Sequence, residues 1–128
     1  MQNRVTKQEM EKLPYIIAVD FDGTLVEDNF PYIGTVREEV WNNVVKAKEK
    51  GCKIILWTSR DGEHLREAVS FCSSYGLHFD AINENLDETK VLFNNDTRKI
   101  HANEYWDDKA ISSYCRVRSI LAGDDEEW

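Results

Sequence analysis

Tyr15-Ile16-Ile17-Ala18-Val19-Asp20-Phe21-Asp22-Gly23-Thr24 is the stretch that decides the fold. Its first five residues form a continuous apolar run with β-branched side chains. A run without polar alternation reads as a strand buried on both faces, the environment of a parallel sheet. Upstream, residues 1–13 are polar and read as an N-terminal arm in which a short helix fits, and Pro14 ends any such helix. Downstream, Asp, Gly, Asn and Pro through residue 34 read as a loop.

From Thr35 the period changes. Val36, Val40, Val44 and Ala47 recur every three or four residues, which predicts a helix with Thr35 as N-cap and Gly51 at its C-terminal end. Residues 52–57 read as a second buried strand. Residues 63–75 predict a second amphipathic helix, with Leu65, Ala68, Val69, Cys72 and Tyr75 inward and Gly76 as its stop. Residues 78–82 read as a third strand, 83–98 are polar and ambiguous, and a short strand fits Glu104-Tyr105-Trp106. A helix fits residues 110–121, and residues 122–128 read as a solvated acidic tail. Alternating strands and helices give an α/β fold: one Rossmann-like domain over residues 14–121, with a parallel sheet and flanking helices.

The chain of 128 residues is one domain in size. Its 16 Lys and Arg against 24 Asp and Glu leave a net charge of −8, which argues against general nucleic-acid binding. The apolar run at 15–19 is far too short to span a bilayer, so no membrane association is expected. The polar N-terminal residues contain no secretory apolar region. Three cysteines (Cys52, Cys72 and Cys115) are an odd number without metal-ligand spacing, and they read as reduced thiols in a cytoplasmic protein.

In open parallel sheets, ligands bind beyond the carboxyl ends of the strands. The first strand ends in Asp20 and Asp22, which face one pocket if the chain stays extended, with Phe21 toward the core. Two neighbouring carboxylates repel and invite a cation, Gly23 allows a sharp turn, and the Thr24 hydroxyl can tie it down. The bland alternative is an acidic turn capping a strand. The second strand ends in Thr58-Ser59-Arg60, whose hydroxyls, N–H groups and guanidinium suit phosphate oxygens or a simple polar turn. The third ends near Asn83-Glu84-Asn85, better read as a turn than as a pocket mouth. The fourth ends in Asp107-Asp108, with Lys99 eight residues before Asp107. Carboxylates, a hydroxyl turn and a lysine at one sheet edge suit Mg²⁺, a hard cation that prefers oxygen, and a phosphoryl group. A carboxylate aimed at that phosphorus can act as nucleophile.

Asp20-Phe21-Asp22-Gly23-Thr24-Leu25-Val26 after an apolar strand resembles the first motif of the haloacid dehalogenase superfamily, mostly phosphatases. Leu56-Trp57-Thr58-Ser59-Arg60 is similar to its second motif, Lys99 to its third and Asp107-Asp108 to its fourth, with Lys90 an alternative for the lysine. The run from Lys99 to Asp108 departs from the pattern of small members at Ile100, Asn103 and Trp106.

The resemblance implies a phosphatase with an aspartyl-phosphate intermediate. Asp20 would be the nucleophile, and Asp22 the acid and then the base. Asp20, Asp22 through its carbonyl, and Asp107 or Asp108 would hold Mg²⁺. Thr58, Ser59 and Lys99 would bind phosphate, and Arg60, Gly23 and Thr24 are candidate substrate contacts. The segments between Asp22 and Thr58, and between the third strand and Lys99, leave no room for a cap domain. A capless member implies a phosphorylated small molecule or macromolecular end as substrate, or a homo-oligomer whose second subunit closes the site.

A receiver-type phosphoacceptor domain, with its acceptor Asp after the third strand, fits less well because that strand ends in Ile82-Asn83. A non-catalytic binding module on the same scaffold is the other alternative. An EF-hand over Asp20–Asp28 fails, since Gly23 is fourth where the sixth position needs Gly. His64 reads as a surface residue, Trp41 and Trp57 as core, and Phe30 and Tyr32 as part of a flap after the first motif.

Overall fold

The computed structural model describes residues 6–93 and 100–107. The elements run α1 (Lys7–Glu11), β1 (Ile16–Val19), α2 (Glu38–Glu49), β2 (Lys53–Leu56), α3 (Gly62–Ser74), β3 (Ala81–Ile82), α4 (Asp87–Leu92) and β4 (Glu104–Trp106). The strands form one sheet in the order β3-β2-β1-β4, with every pairing parallel. The architecture is the expected single α/β Rossmann-like domain. The helix expected over 110–121, the acidic tail, Lys99, Asp108 and Cys115 lie outside the described residues.

β1 shows why its sequence has no polar alternation. Ile17 and Val19 join a large apolar cluster with Ile54, Leu56, Val44, Ala47, Ala68 and Cys72 on one face of the sheet. Ile16 and Ala18 join a second cluster with Ile55, Leu86 and Ile100 on the other. All four β1 side chains are fully buried. Asn103 fixes where β4 meets β1. Its side-chain oxygen accepts the Ile16 N–H at 2.7 Å, and its own N–H donates to the Ile16 carbonyl at 2.8 Å. Cys52 and Cys72 are free and buried, and burial pushes their thiols up to about 11 and about 12.

Three expectations are corrected. α2 starts at Glu38 with Arg37, not Thr35, at its N-cap. The Thr35 carbonyl instead accepts the Glu27 N–H at 2.7 Å, and Val36 bridges Val26, so these residues stay extended. β3 is only Ala81–Ile82, because the Asp80 carboxylate itself accepts the Ile54 N–H at 2.8 Å where ladder pairing would begin. Tyr75 is exposed at the C-cap of α3 rather than inward. The ambiguous stretch after β3 contains α4.

The 27–35 segment closes on itself at the Glu27–Thr35 hydrogen bond, with Gly34 in its neck. A Cβ at Gly34 would lie 2.0 Å from the Glu27 carbonyl oxygen. That clash is with backbone, which cannot swing aside like a side chain. Gly34→Ala is therefore expected to destabilise the protein by about 1–3 kcal/mol, measured by urea unfolding; an unchanged midpoint would show that the neck is loose.

Candidate functional site at the carboxyl ends of the strands

The strand registers put the site together. Val19 pairs with Leu56 on one side and Trp106 on the other, and Leu56 pairs with Ile82. The next residue of each strand therefore falls in one row: Asp20, Trp57, Asn83 and Asp107. Hydrogen bonds from Asp20 N to Trp106 O, Trp57 N to Val19 O and Asn83 N to Leu56 O, all 2.8–2.9 Å, extend the ladder through that row. From β1 the chain goes first to β2 and β3 on one side, then to β4 on the other. The gap between β1 and β4 is thus a topological switch point, where open α/β sheets place their ligands.

A cavity of about 350 Å³ opens there, lined by Asp20, Trp57, Thr58, Ser59 and Asp107. Two carboxylates and two hydroxyls from three strand ends converge on it. Asp20 is half-buried, and one of its carboxylate oxygens accepts the Phe21 N–H at 2.7 Å. The Thr58 hydroxyl accepts the Arg60 N–H at 3.2 Å, which leaves its own O–H available as a donor. The Thr58 N–H donates to the Asn83 side chain at 2.8 Å. Asn83 has φ of 52°, the left-handed region that Asn tolerates better than other non-glycine residues. Asn83 therefore shapes the Thr58 turn from outside the pocket.

Asp22 and its neighbours are arranged differently from the sequence expectation. β1 ends at Val19, and the Phe21 carbonyl accepts N–H bonds from Thr24, Leu25 and Val26. This tight turn ends the extended alternation, so Asp22 does not line the cavity with Asp20. Its two carboxylate oxygens instead accept from Arg60 Nε at 2.7 Å and Nη2 at 2.8 Å. Arg60 is 2% exposed, not an open substrate contact. The hydrogen-bonded Asp22 carboxylate raises the guanidinium's proton affinity against the opposing cost of burial. Gly23 offers its carbonyl to Arg37 Nη1. Thr24 is buried, and its hydroxyl has no partner among the described residues, so backbone bonds rather than this hydroxyl hold the turn.

Among the lysines, Lys90 on α4 pairs with Glu84 at 2.5 Å and is not part of the cavity wall. His64 is exposed, as expected, and its ring meets Phe30 edge-on at 5.2 Å. Trp41 packs against the core. Trp57 does not: it is 45% exposed on the cavity wall, with its ring 5.4 Å from Tyr105. It is the residue that sequence reading missed, because it directly follows an apolar run and reads as its continuation. Among the described residues no group of three or more His, Cys, Asp and Glu side chains is close enough to hold a metal, and no helix is long and apolar enough to cross a membrane.

No protein-family model and no curated protein matches the chain. A solved structure does: that of a conserved protein coded by a locus of Bacteroides thetaiotaomicron, with a TM-score of 0.71 and 30% identity over 88% of this chain and 93% of that one. The chain belongs to the family of that conserved protein. This kinship establishes the fold, and the chemistry of the site rests on its side chains.

The Asn83 turn can be tested directly. Asn83→Ala loses both the bond to Thr58 and the tolerance for positive φ, and is expected to cost about 1–3 kcal/mol in urea unfolding. Asn83→Gly keeps the backbone conformation and should fall between wild type and Asn83→Ala; equal losses would show that the conformation contributes nothing.

Proposed function

We propose that the chain is a Mg²⁺-dependent phosphomonoesterase of the haloacid dehalogenase type, with Asp20 as nucleophile. The observation that carries this reading is the convergence of Asp20, Thr58, Ser59 and Asp107 on one cavity at the switch point of the sheet. Mg²⁺ commonly takes one or two carboxylates and completes its shell with water and phosphate oxygens, which the pair of wall carboxylates fits. Asp20 and Asp107 would hold it, with the Asp22 carbonyl and Asp108 completing the set implied by the motifs. Bound there, the cation supplies positive charge that offsets the repulsion between a carboxylate and a phosphate dianion.

The protein's own groups divide the remaining work. An Asp20 oxygen attacks phosphorus as the ester P–O bond breaks, and the departing alkoxide takes a proton from Asp22, which serves as the acid once its carboxyl has left the Arg60 fork and turned to the cavity. Water then attacks the phosphorus of the acyl phosphate and gives its proton to Asp22. Inorganic phosphate leaves and Asp20 is regenerated. The Thr58 and Ser59 hydroxyls donate to the phosphoryl oxygens, and Lys99 adds a positive charge to them. Trp57 offers a flat apolar face to the alcohol part of a phosphorylated substrate.

Phosphate release from an aryl phosphate is expected to require Mg²⁺, to stop with EDTA, and to fall at least ~10³-fold in Asp20→Asn. Equal activity in wild type and Asp20→Asn would overturn the nucleophile assignment. Absence of both turnover and Mg²⁺-dependent binding of beryllofluoride would favour a non-catalytic binding module. Trp57→Ala is expected to raise KM about 2–10-fold for an aromatic ester while leaving kcat nearly unchanged; an unchanged KM would remove Trp57 from the substrate site.

A further inference from the structure

A guanidinium carries five N–H donors in a rigid fork. At Arg60 every one has an acceptor. Nε and one Nη2 hydrogen go to the two Asp22 oxygens, and the other Nη2 hydrogen goes to the Tyr32 carbonyl at 2.9 Å. Nη1 reaches the carbonyls of Pro31 at 3.4 Å and His64 at 3.3 Å. The guanidinium lies between two rings, 5.1 Å from the centre of Phe21 and 5.0 Å from that of Phe30. Phe30 and Tyr32 themselves are exposed. One buried cation thus joins the turn after β1, the 30–32 loop and the first turn of α3.

We propose that Arg60 holds the Asp22 carboxylate off the cavity wall and that the same guanidinium seats the 30–32 loop, so carboxylate and loop hold or release together. This rests on Asp22 as the group that transfers protons. Three features carry the inference. A fork-to-carboxylate pair fixes the Asp22 rotamer in a way a single hydrogen bond does not. The loop carbonyls are gathered on the same cation, so losing Asp22 removes the one anion that Arg60 binds among the described residues. The Glu27–Thr35 bond closes the loop at its neck, and Arg60 ties the tip to the domain through the Pro31 and Tyr32 carbonyls, beside the Phe30–His64 ring contact. Asp22 is thus held off the cavity wall under the loop, and a substrate that displaces the loop also frees the proton-transfer group.

Amide hydrogen exchange of the full chain tests the coupling without requiring turnover. Asp22→Asn and Arg60→Lys are each expected to speed exchange across residues 28–34 by about tenfold or more. The double variant should be no faster than the faster single variant, and exchange in β1 and β2 should stay as in wild type. Unchanged loop exchange in Asp22→Asn would overturn the coupling, and that variant decides the question even if Arg60→Lys fails to fold.

Phosphatase activity that is absent, or that survives Asp20→Asn, would sink the phosphatase reading alone, and loop exchange would still decide whether Arg60 couples Asp22 to the loop.

Discussion

Parallel register is the constraint on which the site depends. Val19 sits opposite Leu56 and Trp106, so three strands end level and the residues that follow them share one edge. A slip of one residue in β4 would bring Trp106, now fully buried, to the position of Asp107 and carry the carboxylate off the cavity. Asn103 guards against that slip by bonding Ile16 through both its side chain and its backbone. The polar edge is held level by a fully apolar strand buried on both faces, so the core and the candidate site are positioned by the same hydrogen bonds.

A second level of organisation lies behind the edge. The cavity wall holds Asp20, Thr58, Ser59 and Asp107, while Asp22 is held beneath the loop by a buried arginine. The two aspartates of one short motif thus have distinct environments although they are two residues apart. Such separation suits a pair with different proposed roles, one attacking phosphorus and one moving protons. It comes from the turn at Phe21, whose single carbonyl accepts three N–H groups and ends the strand before alternation reaches Asp22.

Much of this was legible in the sequence. The β1 run announced a doubly buried strand because no polar residue interrupts it, and the carboxylates and hydroxyls marked the strand ends because apolar runs stop at them. What the sequence could not show were pairings distant along the chain. Nothing local to Val36 reveals that Val26 keeps it extended and delays α2. Nothing local to Asp80 shows that its side chain takes the Ile54 N–H and shortens β3. Arg60 reads as an exposed phosphate ligand until the fold brings Asp22 against it, and Trp57 reads as core until the sheet ends beneath it. Each miss is a case of tertiary contact overriding a sound local reading.

The proposed chemistry makes one covalent claim, that a phosphoryl group passes through the Asp20 side chain. The most direct measurement is an acid quench during turnover of a phosphate ester, followed by peptide mapping by mass spectrometry. The account predicts a phosphoryl group on the peptide containing Asp20, labile to hydroxylamine as an acyl phosphate, and absent from Asp20→Asn. Turnover with no phosphorylated peptide, or with the label on another residue, would contradict it.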